Sequence, residues 1–153
     1  MYRLVVLVPF VLALVGCAGL GGGQAVAPDR DMCTLLTSAE VDQYMGWPDT
    51  IPESEQGQRG PTCGFTDEDY GTAVRLNLSP VGAIPCDQLK DSANSDAIGG
   101  VGEWAYYSHD RNILYVKKGE SCLEVTAALG VGDPDLDYMT GITELARLAA
   151  SRL

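Results

Sequence analysis

Apolar and polar residues alternate most regularly between Ala73 and Ser79, where Val74, Leu76 and Leu78 are separated by single polar residues. This period of two predicts a strand with one buried face and one solvated face. Other short runs of β-forming residues lie between polar turn residues and are predicted as four further strands: 63–66, 104–108, 113–117 and 121–128. Strands 63–66 and 73–79 are expected to form a hairpin, and the last three strands a meander.

The helices are predicted from capping residues and from a period near four. Thr37 and Glu40 have the spacing of a capping box, in which each side chain accepts a hydrogen bond from the other residue's backbone amide. The helix that follows is expected to stop at Gly46, which adopts the left-handed conformation easily, and Pro48 prevents its continuation.

Two more helices are predicted later in the chain. Residues 85–90 form a short helix with Pro85 in the first turn. In the C-terminal helix, Asp133 is the predicted N-cap and Pro134 the first residue. The apolar residues of this helix fall on one stripe: Met139, Ile142, Ala146, Ala149 and Leu153.

The order of these elements predicts the fold class. Residues 49–60 and 94–102 have no regular period and are expected to be loops. The strands follow one another too closely for parallel crossovers, so the sheet is antiparallel. We therefore expect an α+β domain, with an antiparallel sheet of about five strands and helices packed on one face.

The first 16 residues have the arrangement of an export signal, because Arg3 precedes a mostly apolar run. The run is shorter than the roughly 18 residues that a membrane-spanning helix needs, and Pro9 interrupts it. It ends in Leu-Val-Gly-Cys at 14–17, which resembles the bacterial lipobox. The resemblance implies that signal peptide 1–16 is removed and that Cys17 carries diacylglycerol and palmitate.

The anchor and the segment after it predict where the domain is displayed. Two or more acyl chains hold a protein stably on a bilayer. Residues 17–30 are rich in glycine and carry little bulk, so we expect a flexible tether between the lipidated cysteine and a single exported domain at 31–153. The predicted location is the outer leaflet of the plasma membrane.

Net charge excludes one class of partner. The chain of 153 residues has 10 Lys+Arg and 21 Asp+Glu, a formal charge of -11. Removal of residues 1–16 takes away Arg3 and no acid, which leaves 9 basic and 21 acidic residues, or -12. Nucleic-acid binding requires clustered basic residues that neutralise phosphates, so we expect no nucleic-acid partner.

Four of the five cysteines remain after Cys17 is assigned to the lipid: Cys33, Cys63, Cys86 and Cys122. Exported proteins escape the reducing cytosol, so these cysteines are predicted to form two disulfides, for which three pairings are possible. A zinc site is the rival interpretation. No two of the four have the short spacing of a zinc motif, and the single histidine, His109, is distant from each, so we predict no metal site.

Aromatic residues are the candidates for ligand binding. Trp47, Trp104, Tyr106 and Tyr107 are able to line a groove for a glycan, a lipid or a peptide. Ordinary core packing is the favoured explanation for most of this group, and we expect Trp47 to be its most exposed member. Tyr106 and Tyr107 are adjacent and must point to opposite faces if they lie on a strand.

A catalytic constellation is absent from the sequence motifs, and we predict no cofactor. His109 is expected to be a solvated turn residue. The acids from Asp133 to Asp137 resemble a calcium loop, but Tyr138 stands where that loop requires glycine, so we interpret them as helix-capping residues. Paired carboxylates would suffice for glycoside hydrolysis, and this leaves an envelope hydrolase as an alternative.

Several motifs in order resemble the actinobacterial lipoproteins of the Domain of Unknown Function 3558 group. They are the lipobox ending at Cys17, the opening Asp31-Met-Cys33-Thr-Leu-Leu-Thr37 with Glu40, the pair Cys63 and Phe65, Gly100-Val-Gly102-Glu-Trp-Ala105, and the helix end Leu145-Ala146-Arg147. The resemblance implies that Cys33 pairs with Cys63 and Cys86 with Cys122, and it implies no activity. The opening is also similar to the sensor domain of mycobacterial receptor kinases.

The functional hypothesis follows from location rather than from a motif. We expect a non-catalytic envelope lipoprotein that binds or senses a ligand or a protein partner. The alternatives are the carboxylate hydrolase and an accessory partner of a membrane kinase or transporter.

Overall fold

The structure, a computed structural model, describes residues 30–57, 60–68, 71–80, 86, 94–127 and 137–153. A 3-10 turn at Met32–Thr34 comes first. The remaining elements are α1 (Ser38–Met45), β1 (Ile51–Gly57), β2 (Gly60–Asp67), β3 (Gly71–Pro80), β4 (Ser95–Ile98), β5 (Trp104–Ser108), β6 (Ile113–Lys118), β7 (Ser121–Ala127) and α2 (Tyr138–Ser151).

The described strands form one antiparallel sheet in the order β1-β2-β3-β7-β6-β5-β4. The predicted α+β class and the antiparallel sheet are confirmed. The strand number is not, because the described residues contain seven strands rather than five. The predicted hairpin turn is also found, since β2 ends at Asp67 and β3 begins at Gly71.

The two additional strands are the edges of the sheet, and both lie where loops were predicted. β1 occupies most of 49–60, and its residues from Ile51 to Gln56 are all exposed. β4 lies within 94–102, and its two central residues are exposed. An edge strand is held by backbone hydrogen bonds to one neighbour and needs no buried side chain, so hydrophobic periodicity does not reveal it.

Both described helices pack on one face of the sheet, which we call the helix face. Alternate residues of the central strands point to it, and one row across four strands consists of Leu76, Val125, Leu114 and Tyr107. The buried side of α2 supplies the opposite layer of the core, with Ile142, Ala146 and Ala149 of the predicted stripe fully buried together with Leu145, which the stripe did not include.

The two helices touch at a glycine. A Cβ atom added to Gly141 would lie 2.4 Å from the carbonyl oxygen of Tyr44 in α1. This separation is too short for any side chain, so glycine at this position permits the helices to approach at backbone distance.

The first helix has the predicted ends. Thr37 and Glu40 form the capping box, and Gly46 closes the helix with a φ of 67°. Arg152, after α2, also donates to both carboxylate oxygens of Glu40, at 2.8 and 2.6 Å. These hydrogen bonds from the guanidinium are the main reason that the pKa of Glu40 falls from 4.5 to about 2, and the bonds from Thr37 add to the effect.

The start of the last helix differs from the prediction. α2 begins at Tyr138, and the side chain of Asp137 accepts the backbone amide of Met139 at 3.1 Å. The N-cap is therefore Asp137 and not Asp133, which lies outside the described residues together with Pro134. Asp137 has the same capping carboxylate as Asp133 and lies closer to the apolar residues of the helix. The hydrogen bonds that it accepts from Thr140 and Met139 lower its pKa.

Both disulfides join distant parts of the chain. Cys33 and Cys63 lie at disulfide distance, with 5.1 Å between their Cα atoms. Cys86 and Cys122 also lie at disulfide distance, with 5.9 Å between their Cα atoms. This is the pairing that the family resemblance implies. Cys63 belongs to the core on the helix face, whereas Cys122 belongs to a separate small cluster on the opposite face.

Several predictions fall on residues that the structure does not describe. They are the signal peptide at 1–16, Cys17, the tether up to residue 29 and all of the short helix 85–90 except Cys86, whose backbone is helical. Within the described ranges, no helix has the length and apolar character needed to cross a membrane.

Candidate functional site

The face of the sheet opposite α1 and α2 is defined by the side chains of Arg75, Asn77, Thr126, Glu124 and Tyr115, and we call it the Arg75 face. These residues alternate along their strands with core residues of the helix face. The pairing register places them in two adjacent rows. Arg75 lies opposite Thr126 in one row, and Asn77, Glu124 and Tyr115 follow one another in the next.

The first row contains a cavity of about 400 Å³, lined by Thr72, Arg75, Thr126 and Ala127. We call it the Arg75 cavity. Gly64 of β2 lies opposite Arg75, and a Cβ atom added to it would lie 3.8 Å from the Thr72 side chain. A side chain at position 64 would therefore be in van der Waals contact with the Thr72 wall of the cavity.

The far wall of the cavity is connected to the second helix. The Tyr138 hydroxyl donates a hydrogen bond to the carbonyl oxygen of Ala127 at 3.0 Å. Burial of this phenol raises the pKa of Tyr138 to about 12. The hydroxyl therefore stays protonated and ties the end of β7 to the first turn of α2.

Arg75 is the cationic group of the cavity. Its guanidinium lies 3.9 Å from a carboxylate oxygen of Glu55 in β1, and the side chains are 48% and 53% exposed. The distance exceeds that of a hydrogen bond. Exposed pairs of this kind contribute only about 0.2 to 1 kcal/mol to stability, so Arg75 is held loosely.

The second row contains a buried carboxylate. Glu124 is 4% exposed, and it accepts a hydrogen bond of 3.4 Å from the amide nitrogen of Asn77. The amide oxygen of Asn77 is buried and has no hydrogen-bond partner among the described residues. Burial of charged and polar groups is costly unless they are paired, so this row is a polar network with one unfilled acceptor.

Tyr115 and Arg111 extend that network. An Nη–H of Arg111 donates a hydrogen bond to the hydroxyl oxygen of Tyr115, with 3.5 Å between nitrogen and oxygen. This bond is the main reason that the pKa of Arg111 is raised, and the charge of Glu124 contributes to the shift. A guanidinium thus lies near the buried carboxylate on the side away from Asn77.

The four aromatic residues predicted to line a groove are divided between the two faces of the sheet. Trp47 is 3% exposed and belongs to the core on the helix face, so the expectation that it is the most exposed of the four is wrong. It follows the end of α1 directly, where the chain turns back toward the sheet. Tyr107 is also buried in that core.

Trp104 and Tyr106 lie on the Arg75 face instead. Their rings meet edge to face with 5.5 Å between centroids. Trp104 packs against the small cluster of Cys86, Tyr115 and Cys122. The Arg75 face therefore has an aromatic half over β5 and β6 and a polar half over β2, β3 and β7.

His109 is exposed in the turn after β5, as predicted. Its Nε2 atom lies 2.8 Å from a carboxylate oxygen of Asp96 in the edge strand β4, and its ring meets Tyr107 edge to face. The pair joins β4 to the following turn. Both side chains are largely solvated, so this is a surface contact and not an enclosed site.

The positions of the carboxylates bear on metal binding and on acid chemistry. Within the described ranges, no three His, Cys, Asp or Glu residues are placed to hold a metal ion. The register neighbours of the buried Glu124 are Asn77 and Tyr115, neither of which is an acid. The lowered pKa values of Glu40 and Asp137 are explained by capping and by Arg152.

The sequence patterns did not identify the Arg75 cavity. Arg75 and Asn77 were expected to be the solvated side of a strand, and Thr126 was predicted as part of another strand with no functional role. The signal that connects them is the register between β3 and β7, which single-strand periodicity does not contain.

Comparisons of the chain with protein-family models, with curated proteins and with solved structures find no match.

Proposed function

We propose that the chain is a cell-envelope lipoprotein of the Domain of Unknown Function 3558 kind, attached to the outer leaflet of the plasma membrane through Cys17. Support comes from the apolar leader, the lipobox at 14–17 and the glycine-rich segment before the domain. The exported domain acts as a non-catalytic binding or sensing module.

The Arg75 cavity is the observation that carries the binding part of this proposal. It combines a cationic side chain and two threonines in a recess whose walls come from neighbouring strands of one sheet. Its volume of about 400 Å³ is in the range of small-molecule sites. A rigid sheet with hydrogen-bonding side chains is suited to a small polar ligand.

Labelling with a fatty acid tests the anchor. We expect the protein expressed in an actinobacterial host to incorporate radiolabelled palmitate, and Cys17→Ala to abolish both the label and membrane association. Cys17 is the only cysteine outside the two disulfide pairs. Label that survives this substitution would refute the anchor.

Blocking the cavity tests ligand binding. Gly64→Val places two methyl groups beside Thr72, and we expect it to abolish the binding of small molecules extracted from the cell envelope. Mass spectrometry of the material retained on the immobilised protein measures this binding. Gly99→Val is the matched control, because a Cβ atom there meets nothing within 4 Å. Equal retention by both variants would place the ligand elsewhere.

Glu124 is the carboxylate on which the alternative, an envelope hydrolase using paired carboxylates, would depend, although its register neighbours Asn77 and Tyr115 are not acids. A carboxylate that is 4% exposed beside an amide and a phenol resembles an acid held for chemistry more than a solubilising residue. Hydrolysis of envelope polysaccharide by the wild type, lost in Glu124→Gln and retained in Gly64→Val, would establish the hydrolase and reject the binding module.

A protein-partner function has a different signature. An accessory protein of a membrane kinase or transporter would be captured with that partner by crosslinking in intact cells, and Gly64→Val would leave the capture unchanged. Loss of small-molecule retention in the same variant separates the two proposals.

A further inference from the structure

We infer that the Arg75 cavity is a subsite for an anionic group, a carboxylate or a phosphate, of a small organic ligand. The guanidinium of Arg75 and the hydroxyls of Thr72 and Thr126 are the donors. The inference rests on the proposed binding function and specifies the chemistry of its ligand.

The donor set is the first argument. Arginine presents a planar fork of N–H donors that matches the two oxygens of a carboxylate or phosphate, and threonine hydroxyls donate to the remaining lone pairs. The fourth lining residue, Ala127, adds no charge. Among the residues that the structure describes, the lining contains one cation and no acid, in a chain that has 21 acids and 10 bases.

Glu55 is the second argument, because it already brings a carboxylate to this guanidinium. Its nearest oxygen is 3.9 Å from Arg75, so the pair is electrostatic and lacks a hydrogen bond. Among the described residues, Glu55 is the acid with which Arg75 forms an ion pair. The fork of donors is free to form the short bonds that a ligand carboxylate or phosphate would accept, and Glu55 would then be displaced.

The position of the donors is the third argument. Arg75 and Thr126 are direct partners in the antiparallel register of β3 and β7, two central strands of the sheet. Thr72 lies on the same strand as Arg75, next to Gly64 of β2. Donors on rigid central strands keep their positions better than donors on loops, which favours a preorganised anion site.

Calorimetric titration of the full mature protein in detergent tests this, with inorganic phosphate and with acetate as separate probes in a buffer free of other oxyanions. We expect at least one probe to bind the wild type. Arg75→Gln should weaken that binding at least tenfold, and Thr126→Val, which removes the hydroxyl and keeps the shape, should weaken it severalfold.

Two variants serve as matched controls for charge. Arg147→Gln removes the same charge from α2, where Arg147 pairs with Glu144, and binding should remain within twofold of the wild type. Glu55→Gln removes the competing carboxylate, so binding should become at least twofold tighter. Near-UV circular dichroism of each variant establishes that the fold is retained.

The probes distinguish the two ligand sources, and the variants separate this inference from the proposed function. Binding of phosphate alone indicates a phosphorylated ligand, and binding of acetate alone a carboxylate. The inference is overturned if neither anion binds, or if Arg75→Gln and Arg147→Gln behave alike. If Gly64→Val still abolishes retention of envelope molecules in that case, the binding function stands with a different ligand.

Discussion

The two faces of the sheet have different chemistry although they are built from the same strands. The helix face is apolar, and its central rows pack against α1 and α2 in one continuous core. The Arg75 face carries a cavity with a cation, a buried carboxylate and a small aromatic cluster beside the Cys86–Cys122 disulfide. This difference separates the residues that stabilise the fold from the residues to which we assign binding in our proposal.

Each face also has its own disulfide, and their removal is the largest expected effect. Cys33–Cys63 spans 30 residues beside the main core, and Cys86–Cys122 spans 36 residues on the Arg75 face. We expect Cys86→Ala with Cys122→Ala to lower the free energy of unfolding by about 3 to 4 kcal/mol, because cross-links of this length act mainly on the unfolded chain.

Urea unfolding measures this loss, and the double variant Cys33→Ala with Cys63→Ala is the comparison. Similar losses of unfolding free energy would show that the two disulfides stabilise the fold equally. A loss below about 1 kcal/mol for the pair on the Arg75 face would contradict the chain-entropy account.

A core deletion on the helix face is expected to have the next largest effect. Leu145 of α2 is fully buried against the sheet, so Leu145→Ala should cost about 3 kcal/mol through lost burial and the cavity that remains. Leu148 is only partly buried, and the same substitution there should cost clearly less. Equal losses of unfolding free energy for the two variants in chemical denaturation would mean that α2 does not pack on the sheet through Leu145.

Glu40 provides a pH-dependent prediction for the helix face. Its folded pKa is about 2 and its ordinary value is 4.5, so its contribution to stability is complete above about pH 4.5 and disappears as the pH falls toward 2. We expect Glu40→Gln to lower the free energy of unfolding by about 1 to 2 kcal/mol at neutral pH, since the hydrogen bonds of Glu40 to Arg152 are partly solvated.

Thermal unfolding of both proteins between pH 7 and pH 2 measures that difference. The stability curves of wild type and Glu40→Gln should converge as the solution becomes acidic. A constant difference over the whole range would show that the carboxylate charge is not what stabilises the wild type.

Arg75→Gln should have the smallest effect on stability. The Arg75–Glu55 pair is about half exposed at both ends, so the free energy of unfolding should change by less than about 0.5 kcal/mol. Arg152→Gln is the matched substitution on the other side of the molecule, where the guanidinium binds Glu40 and the carbonyl of Leu35, and it should cost more. Equal costs would contradict the conclusion that Arg75 is held more loosely than Arg152.

Local chemistry explains which elements were predictable. The capping box at Thr37 and Glu40, the left-handed stop at Gly46 and the alternation around Leu76 all depend on residues within a few positions of one another. They were predicted correctly for that reason. The edge strands β1 and β4 were not predicted, because backbone bonds to a neighbouring strand hold them.

Pairing of distant residues explains what was not predictable. Trp47 was expected to be the most exposed of the candidate aromatic residues, and its burial depends on how α1 and the sheet pack together. The Arg75 cavity depends on the alignment of β3 with β7, whose paired residues are about 50 positions apart in the chain, as for Arg75 and Thr126.

The amino-acid sequence alone determined the fold class, the first helix, the central strands and the number of cysteines available for cross-links, since hydrophobic period, capping and cysteine count are properties of short segments. Tertiary structure decided which aromatic residues are buried, which cysteines meet and which polar residues share a cavity. Those outcomes depend on strand register, which moves whole sets of side chains between faces and is set only when the sheet packs against its helices.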